Sequence, residues 1–479
     1  MNLMGDGGAA RRAINITKER QNTVVELTRS GAVLLAALIL PLAGPAEVVA
    51  QHPAGENHSD NVNLVAHLPL GAPSSVSDIV IEQDTARPYA YVSRMRYRGQ
   101  GAMGFDLIGL EDPSEPEVLY EWRIENASLH AGNGGMDGDF FRLDGRTYYV
   151  QAVQFARGGP DHDLGAVVFD VTSLPDTSGI EEVGRIRTPE IPGGFHNVFA
   201  YKHSSGRALL FTTLESAVSD DQGANVYDMR QFLDGAEDDG LVGTVPLPRP
   251  RGAPRGYHDM YVACHPASGE DRFYGGGPEV TYQGGNFIYD VSDPSSPELL
   301  AVQRAQPGQQ AGGHTFVPGP RGRYVLSEMN SLAHAPVRIY DMQPALDGEV
   351  EQVQQPIAAW TADWRKSAHN FEVRWPYVFI SNYTQGLQIL DVRHPRRPEH
   401  VGFWDTYDYE TPYSGGSTAR GLFGVDVRDA DGLIVGSDMH SGFWAWRLRG
   451  FEGWDGADWG VPDISSAQDW QSGTVDACQ

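Results

Sequence analysis

The sequence predicts an all-β chain, a seven-bladed β-propeller of four-stranded blades whose last blade is completed by an N-terminal strand. Three observations carry this. A short pattern recurs, in which an apolar run ends in aspartate and is followed by a turn and a further apolar run. The repeats lie roughly 50–64 residues apart, about the length of a four-stranded unit. The final repeat lacks a fourth strand, while an orphan strand precedes the first.

The pattern appears as MGFDLI (103–108), AVVFDV (166–171), ANVYDM (224–229), NFIYDV (286–291), VRIYDM (337–342) and LQILDV (387–392). The aspartates are assigned as Asp106, Asp170, Asp228, Asp290, Asp341 and Asp391. Three of these runs lead into proline turns, EDPSEPEVL (111–119), SDPSSPELL (292–300) and RHPRRPEHV (393–401). Proline fixes φ and withholds a donor, which stiffens a strand connection. The sixth unit shows four segments in order: HNFEVRW, YVFISNY, LQILDV and PEHVGFW. Four short strands per unit and no sustained 3.6 period argue for propeller blades over a helical solenoid. The seventh unit starts near Gly424-Val425-Asp426, continues through LIVGSDM (433–439) and stops at GFWAWRL (442–448). NLVAHLPL (63–70) is therefore expected to close the ring, because closure removes an exposed sheet edge.

Composition bounds the function classes. Gly (56) and Pro (31) are abundant and apolar residues make up 41%, which fits many short strands with turns between them. A net charge of −27 repels phosphate backbones, so nucleic acid is not an expected partner. Residues 1–50 read as a signal peptide: Arg11, Arg12, Lys18, Arg20 and Arg29 precede the apolar stretch GAVLLAALILPLA (31–43), and Val48-Val49-Ala50 resembles a cleavage site. The apolar stretch is short for a membrane span, so none is expected after cleavage. The product is expected in a periplasm or outside the cell. Residues 51–60 form a linker, 61–449 the propeller and 450–479 an acidic tail with three tryptophans. The tail suits a cap over the channel or a blade, and equally a disordered recognition segment. Cys264 and Cys478 are the two cysteines. An exported chain can keep a disulfide between them, and no CxxC is present to act as a redox or zinc motif.

The best-formed unit, SAHNFEVRWPYVFISNYTQGLQILDVRHPRRPEHVGFW (367–404), resembles the LVIVD repeat of bacterial exported propellers. The resemblance extends loosely over most of residues 61–449. It implies the propeller fold; it implies little about activity.

Four units place a histidine just before the first strand: His196 (GGFHNVF), His258 (RGYHDMY), His314 (AGGHTFV) and His369 (SAHNFEV). First strands of propeller blades line the central channel, so these side chains are expected to converge on one rim. In units one, two and seven, Asp78, Asp137 or Met136, and Phe423 stand nearby. The second strand returns to the same rim, where Glu328 and Asp438 are candidate acid–base or supporting groups, beside Glu215, Asn382 and His440. Neutral imidazole suits iron, copper or zinc, and carboxylates behind imidazoles orient them. The plainer reading makes each histidine a repeat-inherited hydrogen-bonding post.

Two functions follow. One is a binding module, monomeric, engaging a protein, glycan or small molecule at the rim. The other is a metal-dependent enzyme, an oxidoreductase before a hydrolase, using the histidine cluster. GGMDGDF (134–140), with Asp137 and Asp139, reads as a turn without the oxygen set of a calcium loop. His162, His203 and His394 read as solvated turn residues. No GxSxG, HExxH or Walker motif occurs.

Overall fold

The computed structural model describes residues 56–97, 101–156, 158–214, 223–248, 256–277, 285–304, 313–327, 336–363, 368–407 and 420–471. The expected signal peptide and Cys478 lie outside these residues. β1 (Val62–Leu68) stands apart at the start. Blade one is β2 (Val76–Ile81), β3 (Tyr89–Arg94), β4 (Gly104–Gly109) and β5 (Glu117–Arg123). Blade two is β6 (Ala131–Leu143), β7 (Arg146–Ala156), β8 (Leu164–Asp170) and β9 (Glu181–Arg187). Blade three is β10 (Val198–Lys202), β11 (Ala208–Thr212), β12 (Ala224–Asp228) and β13 (Leu241–Val245), with the short helix α1 (Met229–Leu233) between the last two. Blade four is β14 (Asp259–His265), β15 (Glu270–Gly277), β16 (Gly285–Asp290) and β17 (Glu298–Gln303). Blade five is β18 (Phe316–Pro318), β19 (Tyr324–Ser327), β20 (Val337–Asp341) and β21 (Ala358–Trp360), with α2 (Gln343–Leu346) inserted. Blade six is β22 (Phe371–Arg374), β23 (Tyr377–Ser381), β24 (Leu387–Asp391) and β25 (Glu399–Trp404). Blade seven holds β26 (Leu422–Arg428), β27 (Leu433–Asp438) and β28 (Gly442–Leu448).

All seven sheets are antiparallel and run in sequence order from the channel outward, except the last, whose order is β1-β28-β27-β26. The orphan N-terminal strand thus forms the outer edge of blade seven. Its register runs from Val62 opposite Leu448 to Leu68 opposite Phe443, with a bulge between Leu64 and Ala66. The ring is closed as the sequence predicts. Blade four gains a fifth strand, β29 (Asp463–Ile464), which pairs with the innermost β14.

In blades two to six the repeat aspartates explain the turn that follows the third strand. The carboxylates of Asp170, Asp228, Asp290 and Asp391 accept the backbone N–H two residues on, at 2.9–3.0 Å, and Asp341 does so at 3.3 Å. This is an Asx turn, a side chain standing in for a backbone turn. Asp106 does not belong to the series: it lies inside β4, where Arg94 and Arg123 bind it. The matching position in blade one is Gly109, which pairs across to Tyr89 as Asp290 pairs to Arg272. An apolar run with an internal aspartate imitated the repeat in the sequence.

Apolar cores lie between neighbouring blades. Tyr91 of blade one stacks on Tyr149 of blade two at 4.2 Å, and Phe105 meets Phe169 edge to face at 5.1 Å. Burying each such ring contributes roughly 1.5–3 kcal/mol before chain entropy is counted.

Candidate functional site: a histidine rim above a carboxyl-lined channel

The inner strands are buried yet carry polar residues at alternate positions, because every second side chain of a strand faces the channel. Asp78, Asp137, Asn197, Asp259 and Asn370 lie next to the rim. Asp139, Tyr261, Glu372 and Asp426 lie two residues further along their strands. Both sets border one cavity of about 40 Å³, room for a few waters.

These side chains tie blade to blade. Asp137 accepts the Val198 N–H at 3.0 Å, and Asp139 accepts the Ala200 N–H at 2.8 Å. Asp426 accepts the Ile81 N–H at 2.9 Å. Asp259 accepts from Asn197 Nδ2 at 2.8 Å and Thr315 Oγ1 at 3.0 Å. Asp137 and Asp139 therefore stand in a strand, not in the turn read from GGMDGDF. Burial pushes their acidities down: Asp78 and Asp259 are raised to about 7, Asp139 to about 8, and Asp137 well above the usual range. Desolvation of the charged form is the main cause, with repulsion between neighbouring carboxylates added at each.

The four predicted histidines do come together. Each immediately precedes a buried or half-buried polar residue at the start of its blade's inner strand, Asn197, Asp259, Thr315 and Asn370. Ring centroids of His196 and His258 are 4.3 Å apart, His258 and His314 3.9 Å, and His314 and His369 4.8 Å. All four are at least 90% buried. They line a second cavity of about 10 Å³ with Met136, Phe423 and Asp78, which accommodates a single water-sized species and no organic ligand.

Three of the imidazoles have Nδ1 tied to an acceptor. His369 Nδ1 donates to the Phe423 carbonyl at 2.6 Å. His196 Nδ1 donates to Gln154 Oε1 at 3.0 Å. His314 Nδ1 reaches Thr315 Oγ1 at 3.0 Å, and that hydroxyl donates onward to Asp259. Tautomers are assigned from these partners: with the proton on Nδ1, Nε2 carries the lone pair. Burial and the neighbouring imidazoles hold His314 well below the usual histidine range, and burial brings His369 down to about 3. Both are neutral at pH 7.

The other candidates fall elsewhere. Asp438 is buried but is absent from the lining of the histidine cavity. It accepts the N–H groups of His440 and Ser441 and the Thr406 hydroxyl, so it shapes the turn after β27. Glu328 and Glu215 lie outside the described residues. Among the described residues, no three His, Cys, Asp or Glu side chains stand in a metal-holding arrangement; the rings meet face and edge. His203 is buried rather than solvated, with Nε2 at 3.2 Å from the Val291 carbonyl. Sequence reading missed the alternating carboxyl pairs on the inner strands, although D-x-D at 137–139 was a period-2 signal. It also missed Gln154 and Thr315, which no spacing rule singles out.

The far mouth of the channel is occupied by the tail. Ile464 and Asp463 pair with Ala263 and Cys264 on β14. Ser466 lines the channel cavity, its hydroxyl donating to Glu372 at 2.7 Å and its carbonyl accepting from Arg374 at 3.1 Å. Gln468 exchanges hydrogen bonds with both backbone groups of Lys202, and Trp470 meets Phe141 edge to face. Of the two roles expected for the tail, residues 454–471 take that of a cap. Cys264 beneath it is disulfide-bonded.

This arrangement defines a seven-bladed β-propeller with a capped channel. No protein-family model matches the chain, and no curated protein matches it. Among solved structures, the crystal structure of Chaetomium thermophilum Raptor is similar, with a TM-score of 0.52 at 10% identity. The match covers 82% of this chain and 30% of the Raptor chain. At that identity the likeness shows the fold alone.

Proposed function

We propose that this chain is an exported propeller of the LVIVD kind that works as a binding module, with the histidine rim as its binding centre. The centre takes up one transition-metal ion of the iron, copper or zinc group. The observation that supports this is the set of Nδ1 tethers to Gln154, Thr315 and Phe423. Metal-ligating histidines are oriented in this way, by an acceptor on the nitrogen remote from the ion. Their neutrality suits ligation, and the cavity has the size of an ion. A protein, glycan or small molecule then meets the rim.

Elemental analysis of the full mature chain, purified without chelator or histidine tag, tests the reading. Roughly one ion per chain, lost in His314→Ala while the thermal transition persists, is expected. Metal-free protein that also refuses Fe(II), Cu(I) and Zn(II) overturns it, leaving the histidines as inter-blade hydrogen-bonding posts.

A further inference from the structure

We propose a second binding site, for a small organic monoanion with an apolar body, at the end of the propeller remote from the histidine rim. It is a cleft between the tail and the hairpin turns that follow β14, β18 and β26. The cleft holds about 870 Å³, within the size range of small-molecule sites. Pro266 and Ala267 line it from blade four, and Trp454, Val461 and Pro462 line it from the tail. Arg321, on the turn between β18 and β19, supplies its exposed cation.

The other charged groups of the wall already have partners. Asp429 accepts from Arg374, and Asp463 accepts from Gln468 Nε2 at 3.0 Å. Asp455 and Asp469 accept backbone N–H groups of their own turns, from Ala457 at 2.9 Å and Gln471 at 2.7 Å. Arg272 donates to Glu270 at 2.6 Å. The Arg321 guanidinium has no hydrogen-bond or ion-pair partner among the described residues. Its backbone stands at φ 58°, in the left-handed region that side chains rarely adopt. Its N–H donates to the Gly460 carbonyl of the tail at 2.6 Å. A glycine would hold that turn and that hydrogen bond without the steric cost, so the turn itself does not call for the side chain. A carboxylate on an apolar body answers both features of the cleft. The guanidinium fork takes the anion in paired hydrogen bonds, and the apolar walls take the body. The carboxylates on the same wall repel a polyanion, which leaves a ligand of single charge. An arginine that only solvates its turn is the competing explanation. It predicts binding indifferent to ligand charge.

The test is calorimetric titration of the full chain with naphthalene-2-carboxylate and with octanoate, each beside its uncharged amide. Wild type, Arg321→Gly, Arg321→Lys and Ala267→Trp are compared, each first checked for a native thermal transition. At least one carboxylate is expected to bind wild type about tenfold or more tightly than its amide. Arg321→Gly should keep the thermal transition and abolish that preference, and Arg321→Lys should retain part of it. Ala267→Trp, on an exposed turn, should narrow the cleft and weaken carboxylate and amide alike. Absence of binding by both carboxylates overturns the inference. So does a preference for carboxylate over amide that survives Arg321→Gly, or affinity unchanged in Ala267→Trp. The metal content of the rim does not enter these readouts, so this site and the rim centre stand or fall separately.

Discussion

Asp78, on the inner strand of blade one, accepts a 2.6 Å hydrogen bond from Asn370 of blade six, across the position of Gly424 in blade seven. A Cβ on Gly424 would sit 2.1 Å from Asp78 Oδ1. The backbone there has no positive φ, so the glycine is required for space, not for conformation. Gly424→Ala is expected to displace Asp78 and lower stability by about 1–3 kcal/mol. Asp78→Ala in the same background should recover part of that loss. Denaturant midpoints of the two single variants and the double variant check this; additive losses would refute the proposed clash.

Arg374 is fully buried, and its guanidinium meets Glu372 at 2.7 Å, Asp429, and the Ser466 carbonyl of the tail. Removing one partner strands buried charge. Arg374→Met should cost about 3–5 kcal/mol and loosen the tail with it. Hydrogen exchange of the Ser466–Gln468 amides reads the second effect; stability loss with unchanged exchange there would show that Arg374 does not anchor the tail.

The channel carboxyls impose a pH dependence on the metal-free protein. Asp78 and Asp259 are held near 7 and Asp139 near 8, against about 3.9 in an unfolded chain. Between those values the folded state binds more protons, so these groups lose stability as pH rises. Below about pH 6.5 the buried neutral histidines act in the opposite sense, because the unfolded chain protonates them. Above it the carboxyls act alone among these groups. Urea midpoints should therefore fall from pH 6.5 to 8, and Asp259→Asn should flatten the slope. A rising midpoint over that interval contradicts the account.

Cys264 is fully buried on β14, directly under the tail strand, and is disulfide-bonded. A disulfide of this kind contributes about 2–4 kcal/mol. Thiol reductant should lower the melting temperature of the wild type and leave Cys264→Ala unmoved. Equal responses of the two proteins would assign the reductant effect to something other than this bond.

The ring was legible in the sequence because blades two to six end their third strands on an Asx turn, and a side-chain cap of that kind is written locally. The histidine rim was legible for the same reason, since duplication repeats one residue at one position. The channel carboxyls were not. Asp137 and Asp259 find their partners in neighbouring blades, Asp137 at Val198 of the next and Asp259 at Asn197 of the preceding and Thr315 of the next, and nothing within one strand announces that pairing. Asp438 looked like a supporting group because it ends the correct strand on the correct rim. Its carboxylate instead satisfies the backbone of its own turn. β29 is two residues long and carries too little pattern to be read.

The clasp of the ring joins Val62 to Leu448, the two ends of the propeller. The strand synthesised first is thus the one that finds its partner last. Until the seventh blade has been made, β1 has no sheet to join, and blade seven offers a bare edge. Closure must wait for nearly the whole chain, and contacts so distant in sequence form slowly. A ribosome-bound chain is therefore an open arc with two adhesive ends, and shielding those ends is the main demand this architecture places on its synthesis.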